Sequence, residues 1–274
     1  MIDAVITLAL LALAASFGLA IAARIFSVSV DPRVEVIEDA LPGANCGACG
    51  LPGCSELARR IADGKADIDA CPVGGEEVAR RIAEIMGQDF EGGGVRTVAM
   101  VMCAGNDEVA LKRFHYNGIY DCTSAALLFG GNKACIYGCL GLGTCAGVCP
   151  FGAIDMVQGG LAVVNPDKCT GCAKCLSACP KGIIKMVPVN RKVHILCSSH
   201  DKGGKVRKYC KVGCIGCQKC VKAAPEGAIE MDENLAVVNY DVEIPESVAE
   251  TCPMNTIVVG GGVERKAAAA GGEG

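Results

Sequence analysis

The sequence predicts an α+β protein, and three observations carry that prediction. The first is an uncharged N-terminal stretch, Ala4 to Ala23, about the 20 residues that a helix needs to cross a bilayer. The second is cysteine: the chain has 20 of them in 274 residues, and most fall in short regular runs. The third is an internal repeat. Pro150-Phe-Gly-Ala-Ile-Asp-Met leads to Leu161-Ala-Val-Val-Asn165, and Pro225-Glu-Gly-Ala-Ile-Glu-Met leads to Leu235-Ala-Val-Val-Asn239. Each reads as a strand, a turn and a second strand. The expected order is an N-terminal transmembrane helix, a small helical domain and two tandem modules.

The first element is bounded by its charges. Arg24 follows the apolar stretch directly, and only Asp3 precedes it. A signal peptide would carry a basic leader and a shorter apolar core. The positive-inside rule places Arg24 and Arg33 in the cytoplasm. Residues 1–27 are therefore expected to be a single-pass anchor in the cytoplasmic (inner) membrane, with the bulk of the chain cytoplasmic. Thiols stay reduced in that compartment.

The chemistry lies in the cysteines. Cys169, Cys172, Cys175 and Cys179 spell C-x2-C-x2-C-x3-C and are followed by Pro180. Three thiolates this close cap one face of a [4Fe–4S] cube, and the fourth in such a run ligates a neighbouring cluster. A zinc site prefers two Cys pairs separated by a dozen or more residues. A disulfide scaffold suits a short secreted chain. Aromatics make up 4% of the chain and Trp is absent, so clusters are expected to do part of the work of a core.

The small helical domain is expected over 28–91. Cys46, Cys49 and Cys54 have the spacing C-x2-C-x4-C, with Gly47, Gly50 and Gly53 interleaved, and Cys71-Pro72 returns a fourth thiolate. Glycine lets backbone N–H groups approach cluster sulfurs. Ser55–Ala62 reads as a helix capped by Ser55. Glu76–Met86 reads as another, with Val78, Ile82 and Ile85 on one face. Gly92–Gly94 marks a linker, and 92–119 is expected to be a connecting segment without a readable motif.

The first ferredoxin-like module is expected over 120–187. Counting back from Cys149-Pro150, the ferredoxin template places cysteines at 145, 142 and 139, but position 142 is Leu. Cys135 is taken as the substitute. Cys149 then joins Cys169, Cys172 and Cys175, and Cys179 joins Cys135, Cys139 and Cys145.

The second, degenerate module is expected over 188–262. Cys214, Cys217, Cys220 and Cys252 complete one site by the same crossing rule. The other would need cysteines at 224, 242, 245 and 248, which are Ala224, Val242, Pro245 and Val248. One site is filled and one vacated. Four clusters are thus expected. Cys103, Cys122, Cys197 and Cys210 remain, and the choice between a fifth cluster and buried thiols stays open.

From Lys181 to Lys211 the only acid is Asp201, and Lys202, Lys205, Arg207 and Lys208 crowd one segment. This is either a surface for an acidic electron donor or a solvated loop. His115, His194 and His200 are expected to pack or face solvent rather than ligate. The chain has no G-x-G-x-x-G or Walker A run, so it is not expected to bind a dinucleotide or ATP by itself. Its net charge of -4 gives no reason to expect nucleic acid. The low-complexity tail, 263–274, is expected to be disordered.

The apolar span, Asn45-Cys-Gly-Ala-Cys-Gly-Leu-Pro-Gly-Cys54 with Cys71, and the Gly130–Cys145 run together resemble the B subunit of the Rnf electron-transport complex. The resemblance covers nearly the whole chain. It implies a subunit of a membrane ferredoxin:NAD oxidoreductase that translocates Na+ or H+. Soluble reduced ferredoxin would be the donor, and electrons would pass to flavin-bearing and membrane subunits. No catalytic residue is expected in the chain itself. The four replacements in the second module depart from the family pattern. The residues alone also fit a polyferredoxin subunit of another membrane redox complex.

Overall fold

The computed structural model describes residues 2–25, 31–90, 92 and 94–260. Helices α1 (Ile2–Ile25), α2 (Pro32–Ala40), α3 (Cys54–Ala62) and α4 (Gly75–Met86) come first. Then follow β1 (Thr97–Val101), α5 (Cys122–Leu127), α6 (Thr144–Gly147), β2 (Ile154–Val157), β3 (Leu161–Val164), α7 (Lys174–Ala178) and β4 (Ile184–Pro188). The chain continues as β5 (Val193–Ile195), α8 (Gly203–Tyr209), α9 (Lys219–Ala223), β6 (Ile229–Asp232), β7 (Leu235–Val238) and β8 (Ile257–Val259).

The N-terminal expectation needs correction. Helix α1 forms over the apolar stretch, but among the described residues no helix is long and apolar enough to cross a membrane. The transmembrane helix is therefore withdrawn. The expected tail lies outside the described residues, as does part of the Gly92–Gly94 linker.

Helices α2, α3 and α4 make a small core of their own. Asp31 accepts a hydrogen bond from the Arg33 N–H at 2.9 Å, and Pro32 needs no partner at the start of α2. Ile37, Leu57, Ala58, Ile61 and Ile82 are buried together. Val78 and Ile85 are only partly buried, and Ala79 and Ala83 take the inner face beside Ile82. Gly87, at φ 65°, ends α4 in the left-handed region.

The repeat folds as its pattern predicts. Strands β2 and β3 pair antiparallel from Ile154↔Val164 to Val157↔Leu161, and β6 and β7 from Ile229↔Val238 to Asp232↔Leu235. The connecting segment holds more than a link, because β1 pairs antiparallel with β4 (Thr97↔Pro188 to Val101↔Ile184). In the second repeat β5 pairs with β8 in the same way. Each repeat therefore opens on a strand that pairs with its last. Val98, Val101, Ile184 and Val187 are buried in the first core.

The two repeats are joined where their opening strands end. The Ala104 N–H donates to the Leu196 carbonyl at 3.2 Å, and the Ser198 hydroxyl donates to the Met102 carbonyl at 2.8 Å. In the second repeat, Ala224, Ile244 and Val248 pack in a core with Val193, Ile229 and Ile257. Two of the four replaced positions thus lie in apolar packing. The other two, Val242 and Pro245, line a surface cleft.

Candidate metal centres

The N-terminal cysteines are set by α3 and the loop before it. The first helical N–H, that of Cys54, donates to Asn45 Oδ1 at 2.8 Å. The cap is Asn45, reaching back from the loop; the Ser55 hydroxyl donates instead to Glu38 Oε1. A Cβ at Gly53 would stand 2.9 Å from the Asn45 oxygen, so glycine leaves room for this cap. Cys49, Cys54 and Cys71 lie in or against one apolar core. Burial pushes the Cys71 thiol up; the N–H groups of Gly74 and Val73 pull it down, and the Cys54 and Cys46 thiolates raise it again.

In the first repeat, burial raises the Cys175 thiol to about 11, with Cys169, Cys172 and Cys149 adding to the rise. These are the four expected to act together. Two backbone donors reach the set. The Ala99 N–H lies 3.4 Å from Cys169 Sγ and the Ala153 N–H 3.4 Å from Cys149 Sγ. Sequence reasoning missed Ala99, because β1 carries no local turn signal.

The neighbouring set differs from expectation in one member. Cys122, Cys139, Cys145 and Cys179 line a single cavity. Burial pushes the Cys145 thiol up to about 12, and Cys139, Cys122 and Cys179 add to it. Cys122, not Cys135, lines this cavity with the other three. Asp121 caps α5 by accepting from the Ser124 N–H at 2.8 Å, and it holds the Thr144 hydroxyl at 2.7 Å. Thr144 Oγ1 then accepts from the Cys122 N–H at 2.7 Å, which ties Cys122 to the helix carrying Cys145. The capping residue Asp121 was the available sequence signal.

The second repeat brings Cys214, Cys217, Cys220 and Cys252 around one cavity, the set expected. Burial raises the Cys220 thiol to about 11, with Cys214, Cys252 and Cys217 contributing. Cys135, Cys103, Cys197 and Cys210 line a further cavity.

Each of these three cavities is lined by four cysteines. Among the described residues no three His, Cys, Asp or Glu side chains stand as they would around one metal ion. A [4Fe–4S] cube takes one thiolate at each of four corners. Burial that holds these thiols protonated is overcome when iron binds them as thiolates.

Two family models match the chain: FeS, an Fe-S cluster family, over residues 41–73, and the 4Fe-4S dicluster domain over residues 134–183. The B subunit of the Na(+)-translocating ferredoxin:NAD(+) oxidoreductase complex of Acetobacterium woodii is 48% identical, over 88% of this chain and 72% of the relative. The proton-translocating counterpart of Clostridium ljungdahlii is 46% identical, over 82% and 80%. The B subunit of the ion-translocating oxidoreductase complex of Methanosarcina acetivorans is 43% identical, over 78% and 80%. Clustered thiols, a dicluster domain and relatives matched along most of their length lead to one family. The chain is an iron–sulfur electron-transfer subunit and belongs to the B-subunit family of ion-translocating ferredoxin:NAD oxidoreductase (Rnf) complexes.

Proposed function

We propose that this chain accepts electrons from soluble reduced ferredoxin and passes them, one at a time, to flavin-bearing and membrane subunits of its complex. Ion translocation needs a membrane, so the complex is membrane-associated. Four [4Fe–4S] clusters do the carrying. Their ligands are Cys46, Cys49, Cys54 and Cys71; Cys149, Cys169, Cys172 and Cys175; Cys122, Cys139, Cys145 and Cys179; and Cys214, Cys217, Cys220 and Cys252. From residue 28 on, the domain bounds follow the sequence reading, except that the first module begins at β1.

One observation carries the proposal: adjacent sites share one core. Cys139, Cys145, Cys149, Cys169, Cys175 and Cys179 all lie in or against the same buried cluster of side chains. Cys175 of one set raises the thiol of Cys145 in the next. A bound cluster supplies a one-electron carrier whose potential depends on burial and on hydrogen bonds to its sulfurs. The chain's own residues hold the carriers close and exclude water, and Ala99 and Ala153 aim N–H groups at sulfur.

The donor surface is α8 with the residue before it. Lys202, Lys205, Arg207 and Lys208 are exposed there, and Lys205 also pairs with Asp201 at 2.8 Å. Such a patch speeds encounter with an acidic partner, and the gain falls with salt. Reversing all four to Glu is expected to collapse the rate of electron uptake from reduced ferredoxin at low salt, with iron content unchanged. An unchanged rate refutes this surface as the docking site.

A further inference from the structure

We propose that Cys103, Cys135, Cys197 and Cys210 hold a fifth [4Fe–4S] cluster, which joins the clusters of the first repeat to that of the second. The ligand set is new: it takes Cys135 from a site where spacing had placed it and combines it with three thiols that had no role.

The backbone brings the four together from four separate segments. Cys103 and Cys197 each follow an opening strand by two residues, β1 and β5. The Ala104 N–H to Leu196 carbonyl bond fixes those strand ends side by side. Cys210 pairs with Ala110 in an antiparallel bridge, and the Leu111 N–H donates to the Tyr209 carbonyl at 2.8 Å. The Leu111 carbonyl accepts from the Ala134 N–H at 2.8 Å, which brings in Cys135.

The cavity between them is kept open by glycine. A Cβ on Gly105 would stand 3.6 Å from Cys210 Sγ and 3.7 Å from Cys103 Sγ. One on Gly138 would stand 3.7 Å from Cys135 Sγ, and one on Gly213 3.5 Å from Cys210 Sγ. Side chains at these three positions would stand in van der Waals contact with the sulfurs and take up space beside them. Lys133 also lines this cavity and is 1% exposed. Its ammonium donates to the Gly105 carbonyl at 2.6 Å and lies 3.7 Å from Asp107. A buried cation needs compensation, and a thiolate-ligated cluster brings negative charge to its side.

The place of the site gives it a role. The Cys139 N–H points at Cys103 Sγ at 3.5 Å, so a ligand of the first repeat's cluster touches this set directly. On the opposite side the Cys214 N–H is close enough to lower the Cys197 thiol. The site thus contacts a ligand of one cluster in each repeat. As a relay it gains one electron as its donor cluster loses one, then loses one as its acceptor is reduced; no bond is made or broken. This relay role rests on the electron-transfer reading above, whereas the ligand set does not.

The test begins with the anaerobically purified wild-type chain, so it does not depend on any variant folding. Four irons per cluster give about 20 irons and as many sulfides per chain; about 16 overturns the proposal. Cys103→Ser and Cys197→Ser are each expected to lose one reducible [4Fe–4S] signal in low-temperature EPR, or convert it to a three-iron signal. Cys122→Ser is expected to affect a different signal. Variants with the wild-type EPR spectrum and iron content overturn the ligand set. Full reduction of a 20-iron chain by dithionite but not by reduced ferredoxin sinks the donor reading and leaves the fifth site standing. A second-repeat cluster that exchanges electrons with the first repeat at the wild-type rate in Cys197→Ser overturns the relay.

Discussion

Replacing Asn45 tests how the N-terminal cluster loop is held. Its side chain caps α3 across the loop by accepting from the Cys54 N–H at 2.8 Å. Its backbone sits at φ 45°, in the left-handed region. Asn45→Ala removes the acceptor, at about 1 kcal/mol, and puts a Cβ without a local hydrogen bond at positive φ, at about 1 kcal/mol more. The sum, about 2 kcal/mol, is roughly a thirtyfold rise in local opening. Asn45→Gly loses only the acceptor, so about fivefold is expected. Asn45→Asp keeps an oxygen there and stays near wild type. Ser55→Ala also stays near wild type, since the Ser55 hydroxyl meets exposed Glu38 rather than a helix N–H. The assay is hydrogen exchange at the Cys54 amide, with the rate of iron loss from this site to a chelator as second readout. If Ser55→Ala opens the loop as much as Asn45→Ala, the cap is Ser55 and the reasoning fails.

Three further outcomes follow from particular contacts. Gly141→Ala would put a Cβ 2.0 Å from the Gly160 carbonyl oxygen at φ +75°, so a loss of about 3 kcal/mol or more is expected, read as a fall in thermal midpoint of roughly 10 °C. Gly182→Ala, at φ +61° with open space around it, should cost only about 1 kcal/mol; equal losses would contradict the steric account. Asp201 is raised by burial, but bonds from Lys205 and Tyr209 outweigh this and leave its carboxyl below the usual value. It therefore adds stability that is present above the unfolded value near 3.8 and is lost as pH falls through the lower folded value. Asp201→Asn should flatten the stability change below about pH 4, and an unchanged acid profile would argue against it.

Much of this molecule is written locally, and the misreadings have physical causes. The Leu161-Ala-Val-Val and Leu235-Ala-Val-Val strands follow tight turns, and Gly159 and Gly160 at positive φ announce the first hairpin. Strand β1 has its partner β4 far along the chain, so no turn or spacing betrays the pairing. Cys214, Cys217, Cys220 and Cys252, grouped by spacing, line one cavity. Spacing misled at Cys135, which lies close to Cys139 in sequence but lines another cavity. Cys122 lines the Cys139 cavity in its place, and its position depends on the Asp121–Thr144 bond, a tertiary contact. The apolar N-terminal stretch did become helix, but no helix among the described residues is long and apolar enough to cross a membrane.

The account stands or falls on whether this chain carries electrons on iron. The most direct measurement mixes the anaerobic chain with reduced ferredoxin in a stopped-flow instrument and follows its visible absorbance, with metal and sulfide content on the same sample. Equal iron and acid-labile sulfide, with rapid bleaching as the clusters take up electrons, is the predicted result. Zinc with little iron, or iron–sulfur clusters that stay oxidised in the presence of reduced ferredoxin, would contradict it.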